Sequence, residues 1–221
     1  MKLIDLSQPL YHDAPNCPTH PPVVSKTIAD HPKDGWRMEH LTLASHTGSH
    51  LDAPLHKIAG GKSIDQLPLD TFVGEAFIFD LRDSKPDRAI DGMTLQRLAG
   101  GRKLDDRIIL LATGWGDRRA KSEEWLQHSP YVSPAGARWL VQKKVRAIGI
   151  DHYSIGGSGD VNAVTHEILL GNGIWIVEEL HFPPAAMQVT QPAMFWALPI
   201  NFRGFSGSFC RPVLAIEESR I

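Results

Sequence analysis

Four short, largely apolar runs constrain this chain more than any other feature: Val73–Leu81, Arg107–Thr113, Val145–Ile150 and Ile174–Glu178. Each is bounded by Gly, Asp or charge and reads as a short strand. Between them, Thr94–Ala99 and Ser133–Lys144 carry apolar residues at helical spacing, Leu95/Leu98 in the first and Ala137/Leu140/Val141 in the second. Ser133 stands as N-cap of the second helix, with Pro134 at its first position. Strands alternating with helices predict a mixed α/β domain. Lys2–Leu6 and Pro212–Ile216 add two strands near the ends, and Arg37–Ser45 and Phe195–Asn201 read as antiparallel-sheet material. From Ala14 to Pro22, Pro fills four of nine positions, which removes backbone donors and forbids a central strand. That segment is expected on the surface or over a site. With no repeat and no linker-like tract, residues 1–221 read as one domain.

Composition narrows the function. At 221 residues and 42% hydrophobic, the chain is long enough for a full core without covalent staples, and Cys17 and Cys210 make no disulfide framework. A formal charge of −2 leaves no basic excess to displace counterions, so nucleic acid is excluded as a partner. The longest apolar run, Ala193–Leu198, is far short of the roughly 20 residues a membrane span needs. Asp5 interrupts the amino-terminal apolar stretch, which leaves no signal-peptide core. A soluble, cytoplasmic protein with no membrane partner is the expectation.

Histidine is where the chemistry concentrates. The chain has 11, and three of them, with a carboxylate, fall within His46-Thr-Gly-Ser-His50-Leu-Asp52-Ala-Pro-Leu-His56. Even scattering would put about half a histidine in such a window. Imidazoles with a carboxylate suit zinc, manganese or iron(II), and the absence of nearby Cys argues for an open catalytic metal over a structural zinc knot. Gly48 and Pro54 oppose a helix here, so the ligands are expected on a tight turn leaving the end of a Glu39–Ser45 strand. The plainer reading is surface histidines, with Asp52 capping a turn. Further along, His166 precedes the apolar helical run Ile168-Leu169-Leu170. Glu178 ends a strand whose alternation sets it with Ile174 and Ile176, opposite Trp175, Val177 and Glu179. Only one of the two glutamates can face inward. Taken alone, His166 and Glu178 read as ordinary helix and strand-end residues, and His12, His20, His31, His40, His128 and His181 as surface ones. His152, after Asp151 at a strand end, is a candidate to support the site from behind.

The His46–His56 segment resembles the H-T-G-T-H-x-D-A-P-x-H signature of the metal-dependent cyclase family, which includes bacterial kynurenine formamidase and isatin hydrolase. The resemblance extends through Ile64-Asp-Gln-Leu-Pro, Ala112-Thr-Gly-Trp-Gly116, Gly149-Ile-Asp151, His166, Glu178-Glu-Leu180 and Ala197-Leu-Pro199. It implies a swivelling β/β/α fold, a single α/β domain with a mixed sheet. It also implies His46, His50 and Asp52 as ligands of a first metal, His166 and Glu178 as holders of a second bridged by Asp52, and His56 as the acid/base histidine. The cofactor implied is a divalent metal, Zn²⁺ or Mn²⁺, one or two per chain. The activity implied is hydrolysis of a small linear or cyclic amide, an arylformamide or a lactam. A lyase or cyclase using the same metal, and a silent metal-binding homologue, stand as alternatives. A homodimer or homotetramer is implied as well. Two segments depart from the formamidase pattern: Cys17-Pro-Thr-His-Pro21 stands where Trp-Pro-Gly-Asp is usual, and Ile150–Gly157 differs from the usual Thr-Pro-Ser-Val run. Trp36, Phe72, Trp115, Phe195 and Trp196 are candidates for an aromatic pocket or for core, and Arg37 and Arg211 for a substrate carboxylate.

Overall fold

The computed structural model of the protein describes residues 1–216. In chain order the first elements are β1 (Lys2–Asp5), β2 (Val24–Ala29), α1 (His31–Asp34), β3 (Met38–Thr42), β4 (His50–Asp52), β5 (Val73–Asp80), β6 (Ala89–Ile90), α2 (Gly92–Ala99) and β7 (Ile108–Ala112). There follow α3 (Glu123–Gln127), β8 (Tyr131–Val132), α4 (Pro134–Gln142), β9 (Ala147–Ile150), α5 (Gly159–Gly171), β10 (Trp175–Glu178), α6 (Pro184–Met187), β11 (Ala193–Trp196), β12 (Gly207–Phe209) and β13 (Val213–Ile216).

The four apolar runs become β5, β7, β9 and β10, the parallel centre of a nine-stranded sheet ordered β1-β13-β11-β5-β7-β9-β10-β4-β12. Antiparallel strands flank the centre on both sides and make the sheet mixed. Parallel neighbours need a crossover, and the helical stretches supply it. Asp91 caps α2 by accepting the Thr94 N–H, left-handed Gly100 ends that helix, and Ser133 caps α4 by accepting the Gly136 N–H.

Strand alternation divides the core. Ile109, Leu111, Ile148, Ile150 and Ile176 meet Leu95, Leu140, Leu169 and Leu170 of the helices, while Leu110, Ala112, Trp175 and Val177 meet Phe72, Phe195, Leu214 and Leu51 on the other face. Each large side chain so buried contributes roughly 1.5–3 kcal/mol. Phe72, Trp115 and Phe195 are core residues.

Two local expectations change. The Arg37–Ser45 stretch does form an antiparallel strand, β3, but it pairs only with β2 in a separate two-stranded ribbon. The ligand segment is not all turn: residues 45–49 turn, and His50-Leu51-Asp52 then enters the main sheet between β10 and β12. The β12 pairing is invisible locally, because Gly207-Ser208-Phe209 is too short to announce itself. Among the described residues, no helix is long and apolar enough to cross a membrane.

Candidate metal centre

The antiparallel register of β4 and β10 puts Glu178 opposite His50 and Ile176 opposite Asp52. His50 and Asp52 are two residues apart on one strand, so both project to the same face as Glu178. That face is the one α5 covers, and α5 carries His166. Residues over a hundred positions apart therefore converge, all of them buried.

Local bonds aim each side chain. Left-handed Gly48 (φ 69°) reverses the chain, and its carbonyl lies 2.8 Å from His50 Nδ1, which turns Nε2 to within 3.4 Å of Glu178 Oε2 and 3.5 Å of Asp52 Oδ1. On α5, the Asn162 carbonyl sits 2.9 Å from His166 Nδ1, which leaves Nε2 3.3 Å from Glu178 Oε1 and 3.4 Å from Asp52 Oδ2. The Ile155 backbone N–H donates to Glu178 Oε1 at 2.6 Å. His46 is held at both nitrogens, Nδ1 2.7 Å from Asp52 Oδ1 and Nε2 2.9 Å from Ser206 Oγ.

His56 lies at the open side, its ring 4.0 Å from that of His46 and 5.7 Å from that of His166. Glu179, by contrast, adopts a left-handed backbone (φ 57°) that swings its carboxylate away from the cluster to the buried guanidinium of Arg119. The structure thus separates the two adjacent glutamates, Glu178 toward the histidines and Glu179 away from them. His152 is buried, its Nε2 bonded to the Trp125 carbonyl at 2.8 Å.

The electrostatics follow from two carboxylates buried together. Burial alone would raise the Asp52 pKa, but His56, His166 and His46 outweigh it and hold Asp52 well below the ordinary carboxylate range. Burial and Asp52 push Glu178 up, and His166 and His50 bring it below its usual value. Burial would lower the two histidines, yet the carboxylates beside them raise His50 to about 9 and His166 to about 10. Such a pair keeps its charge only beside positive charge.

A divalent cation fits that demand. Asp52 Oδ2 is buried without a hydrogen-bond partner, and His50, Asp52 and Glu178 each offer a ligand atom within 4.8 Å of the others, as do His46, Asp52 and His56. The donor set is nitrogen and oxygen only, as open catalytic sites use.

Other candidates take different places. Arg37 pairs with Glu39 and Arg211 with Asp5, both at the surface, and Trp36 is exposed beyond β3. His20, read from sequence as a surface residue, instead turns its Nδ1 into a buried position and feels the charges of His50, His46, Glu178 and Asp52. No spacing rule links it to the cluster, because the intervening 25 residues include the detached ribbon.

This fold has known counterparts. Isatin hydrolase A from Labrenzia aggregata, in a structure with benzyl benzoate bound, shares the fold at a TM-score of 0.85 and 23% identity, over 98% of this chain and 94% of that one. A predicted metal-dependent hydrolase from Bacillus stearothermophilus superposes at a TM-score of 0.75 and 26% identity, over 96% and 97%. In sequence, the kynurenine formamidase of Geobacillus thermodenitrificans is 30% identical over 215 residues, 96% of each chain. The Cyclase family model matches residues 4–156, and the chain belongs to that family.

Proposed function

We propose that this protein is a metal-dependent hydrolase of the carbon–nitrogen bond in a small linear or cyclic amide, and that residues 1–221 form one such domain. The convergence of His50, Asp52, His166 and Glu178 beneath the exposed ring of His56 carries this reading. Its similarity to a kynurenine formamidase and to an isatin hydrolase gives the two substrate classes to try first, an arylformamide and a lactam.

His46, His50, Asp52, His166 and Glu178 would hold one or two divalent ions, Zn²⁺ or Mn²⁺. A cation in that cradle supplies Lewis acidity, which acidifies water and polarises a carbonyl. The chain's own part is proton traffic and orientation. Partial burial, with His46 and His166 near, draws the His56 pKa below its ordinary value against the pull of Asp52, so its ring is neutral and ready as a base at pH 7. It takes a proton from the attacking water as oxygen adds to the amide carbon. It returns that proton to the leaving nitrogen as the carbon–nitrogen bond breaks, since an unprotonated amide nitrogen leaves poorly. Burial of the cluster excludes bulk water from the reacting centre.

A second reading has its own observation. His46, Asp52 and His56 have ligand atoms within 4.8 Å of one another, an arrangement in which His56 is a ligand. Elemental mass spectrometry on wild type, Asp52→Ala, His166→Ala and His56→Ala, together with amine release from formanilide and ring opening of isatin, separates the two. The acid/base reading expects His56→Ala to keep its metal and lose about 10²–10⁴-fold in turnover. Loss of metal in that variant makes His56 a ligand, and metal-loaded wild type that cleaves neither amide overturns the proposed activity.

We also propose a cytoplasmic homodimer or homotetramer. The β2–β3 ribbon has no buried residue and exposes Val24, Ile28, Met38 and Leu41, and an isolated two-stranded ribbon is marginal in water. Light scattering on the purified chain tests the assembly.

A further inference from the structure

Arg119 and Glu179 form an ion pair that the chemistry above does not use. Both side chains are almost fully buried, 6% and 1% exposed, and Arg119 Nε donates to Glu179 Oε1 at 2.5 Å. The remaining arms of the guanidinium reach the amino-terminal segment: one donates to the Pro9 carbonyl and the other to the Pro15 carbonyl, each at 2.9 Å. Those two prolines bracket the approach to Asn16, Cys17 and His20, which line a cleft of about 220 Å³ with Leu126 and Lys121.

The other end of the pair is anchored to the cluster. The Glu179 N–H donates to the His152 carbonyl at 2.8 Å, and its own carbonyl accepts the Ser49 hydroxyl at 2.7 Å. Ser49 precedes His50, and Glu178 precedes Glu179, so one rigid residue sits between two candidate ligands and the guanidinium. Two further ties run from the stretch carrying Arg119 to the same segment: Gln8 Nε2 donates to the Gly116 carbonyl at 2.8 Å, and Lys121 pairs with Asp13. The segment joins no sheet ladder, because five of residues 8–22 are proline and give no N–H to one. Its near end touches the ligand turn: the Gln8 N–H donates to Ser49 Oγ at 2.8 Å, next to His50, and the Leu10 side chain packs on Gly48, while further along His20 turns a buried, unpartnered Nδ1 inward.

We propose that Arg119 is a positioning residue, a latch that docks residues 8–22 as a roof over the candidate site and sets where His20 stands above it. This rests on the amide-hydrolase reading only for what the roof covers. Arginine is required because three acceptors, two carbonyls of the amino-terminal segment and the Glu179 carboxylate, are met by a planar fork of three nitrogens. A lysine offers one nitrogen and can keep the charge pair but not the two carbonyls.

The test is Arg119→Lys beside wild type, in full-length metal-loaded protein, by amide hydrogen exchange. The N–H groups of Asp13, Ala14 and His20, bonded to the Val23, Tyr11 and Cys17 carbonyls, report on the roof. We expect exchange in peptides covering residues 8–22 to quicken about ten-fold or more while the β7, β9 and β10 peptides stay unchanged. Exchange equal to wild type in 8–22, or a uniform rise across the chain, overturns the latch and leaves an ordinary structural ion pair. KM and kcat for formanilide form a second reading, in which the latch predicts a KM raised about three-fold or more at unchanged metal content. If no amide is turned over, the hydrolase reading fails while the exchange result still decides the latch. Should the lysine variant fail to fold, Glu179→Gln, which removes the charged anchor of the guanidinium at nearly constant volume and leaves residues 8–22 unaltered, replaces it with the same expectations.

Discussion

His50 and Glu178 stand directly opposite each other on adjacent antiparallel strands, with His50 Nε2 3.4 Å from Glu178 Oε2. A register fixed by backbone hydrogen bonds thus sets the spacing of two side chains 128 positions apart in sequence. Glu178→Gln keeps the volume and removes the charge. The variant is expected to fold, with the far-ultraviolet spectrum of wild type, and to lose metal affinity by more than the about 10–100-fold typical of outer partners. Equilibrium dialysis against the metal measures it, and unchanged affinity would remove Glu178 from the ligand set.

Removing the metal should expose the cost of burying Asp52 and Glu178 together. Treatment with a chelator is expected to lower Tm by several degrees and abolish turnover, and adding back Zn²⁺ or Mn²⁺ to restore both, since an ion that binds only the folded chain stabilises it by mass action. Differential scanning calorimetry before and after chelation reads the effect.

Gly207 is fixed by what it touches. A Cβ there would overlap the His46 ring and come within 2.6 Å of the Leu51 carbonyl oxygen. Gly207→Ala should cost about 1–3 kcal/mol in urea unfolding and displace His46 from Asp52. A stability equal to wild type would mean that β12 yields freely.

Asp151 secures the Thr113–Gly114 turn. Its carboxylate accepts the Thr113 N–H at 3.0 Å, the Thr113 hydroxyl at 2.5 Å and the Gly114 N–H at 2.8 Å, and burial still raises its pKa. Asp151→Ala leaves those donors buried and unmet, and about 2–4 kcal/mol of stability should go with it. Denaturant titration at pH 7 is the measurement.

His152 gives the fold a pH dependence. Burial lowers its pKa from 6.5 to about 4, so the folded chain holds it neutral while its Nε2–H bonds the Trp125 carbonyl. As pH falls through 6.5 the unfolded chain binds the proton first, and stability is lost progressively until about pH 4. This group should therefore remove about 2 kcal/mol between pH 7 and pH 5, and His152→Gln should flatten the curve by that amount. Urea titrations of both proteins at the two pH values would expose a mistaken assignment as parallel slopes.

Much of this molecule is local. The four apolar runs became the parallel centre, three of them (β7, β9 and β10) buried throughout and β5 partly so, and the caps at Asp91 and Ser133 start helices in any context that permits them. The His46–His56 spacing pointed to a candidate metal site because four potential ligands within eleven residues cannot scatter far. Alternation along Ile174–Glu178 already put Glu178 on the face of Ile174 and Ile176. What sequence periodicity could not supply is which strand lies beside which. The β4–β10 and β4–β12 pairings, the meeting of His166 on α5 with Asp52, and the bond from Ser206 to His46 all depend on chain-distant packing with no local signal. The same holds for Arg119, an arginine in an unremarkable polar stretch whose three partners come from residues 9, 15 and 179. Its burial is decided by the tertiary fold, since only there do an unpaired carboxylate and two orphaned proline-segment carbonyls come within reach of one guanidinium.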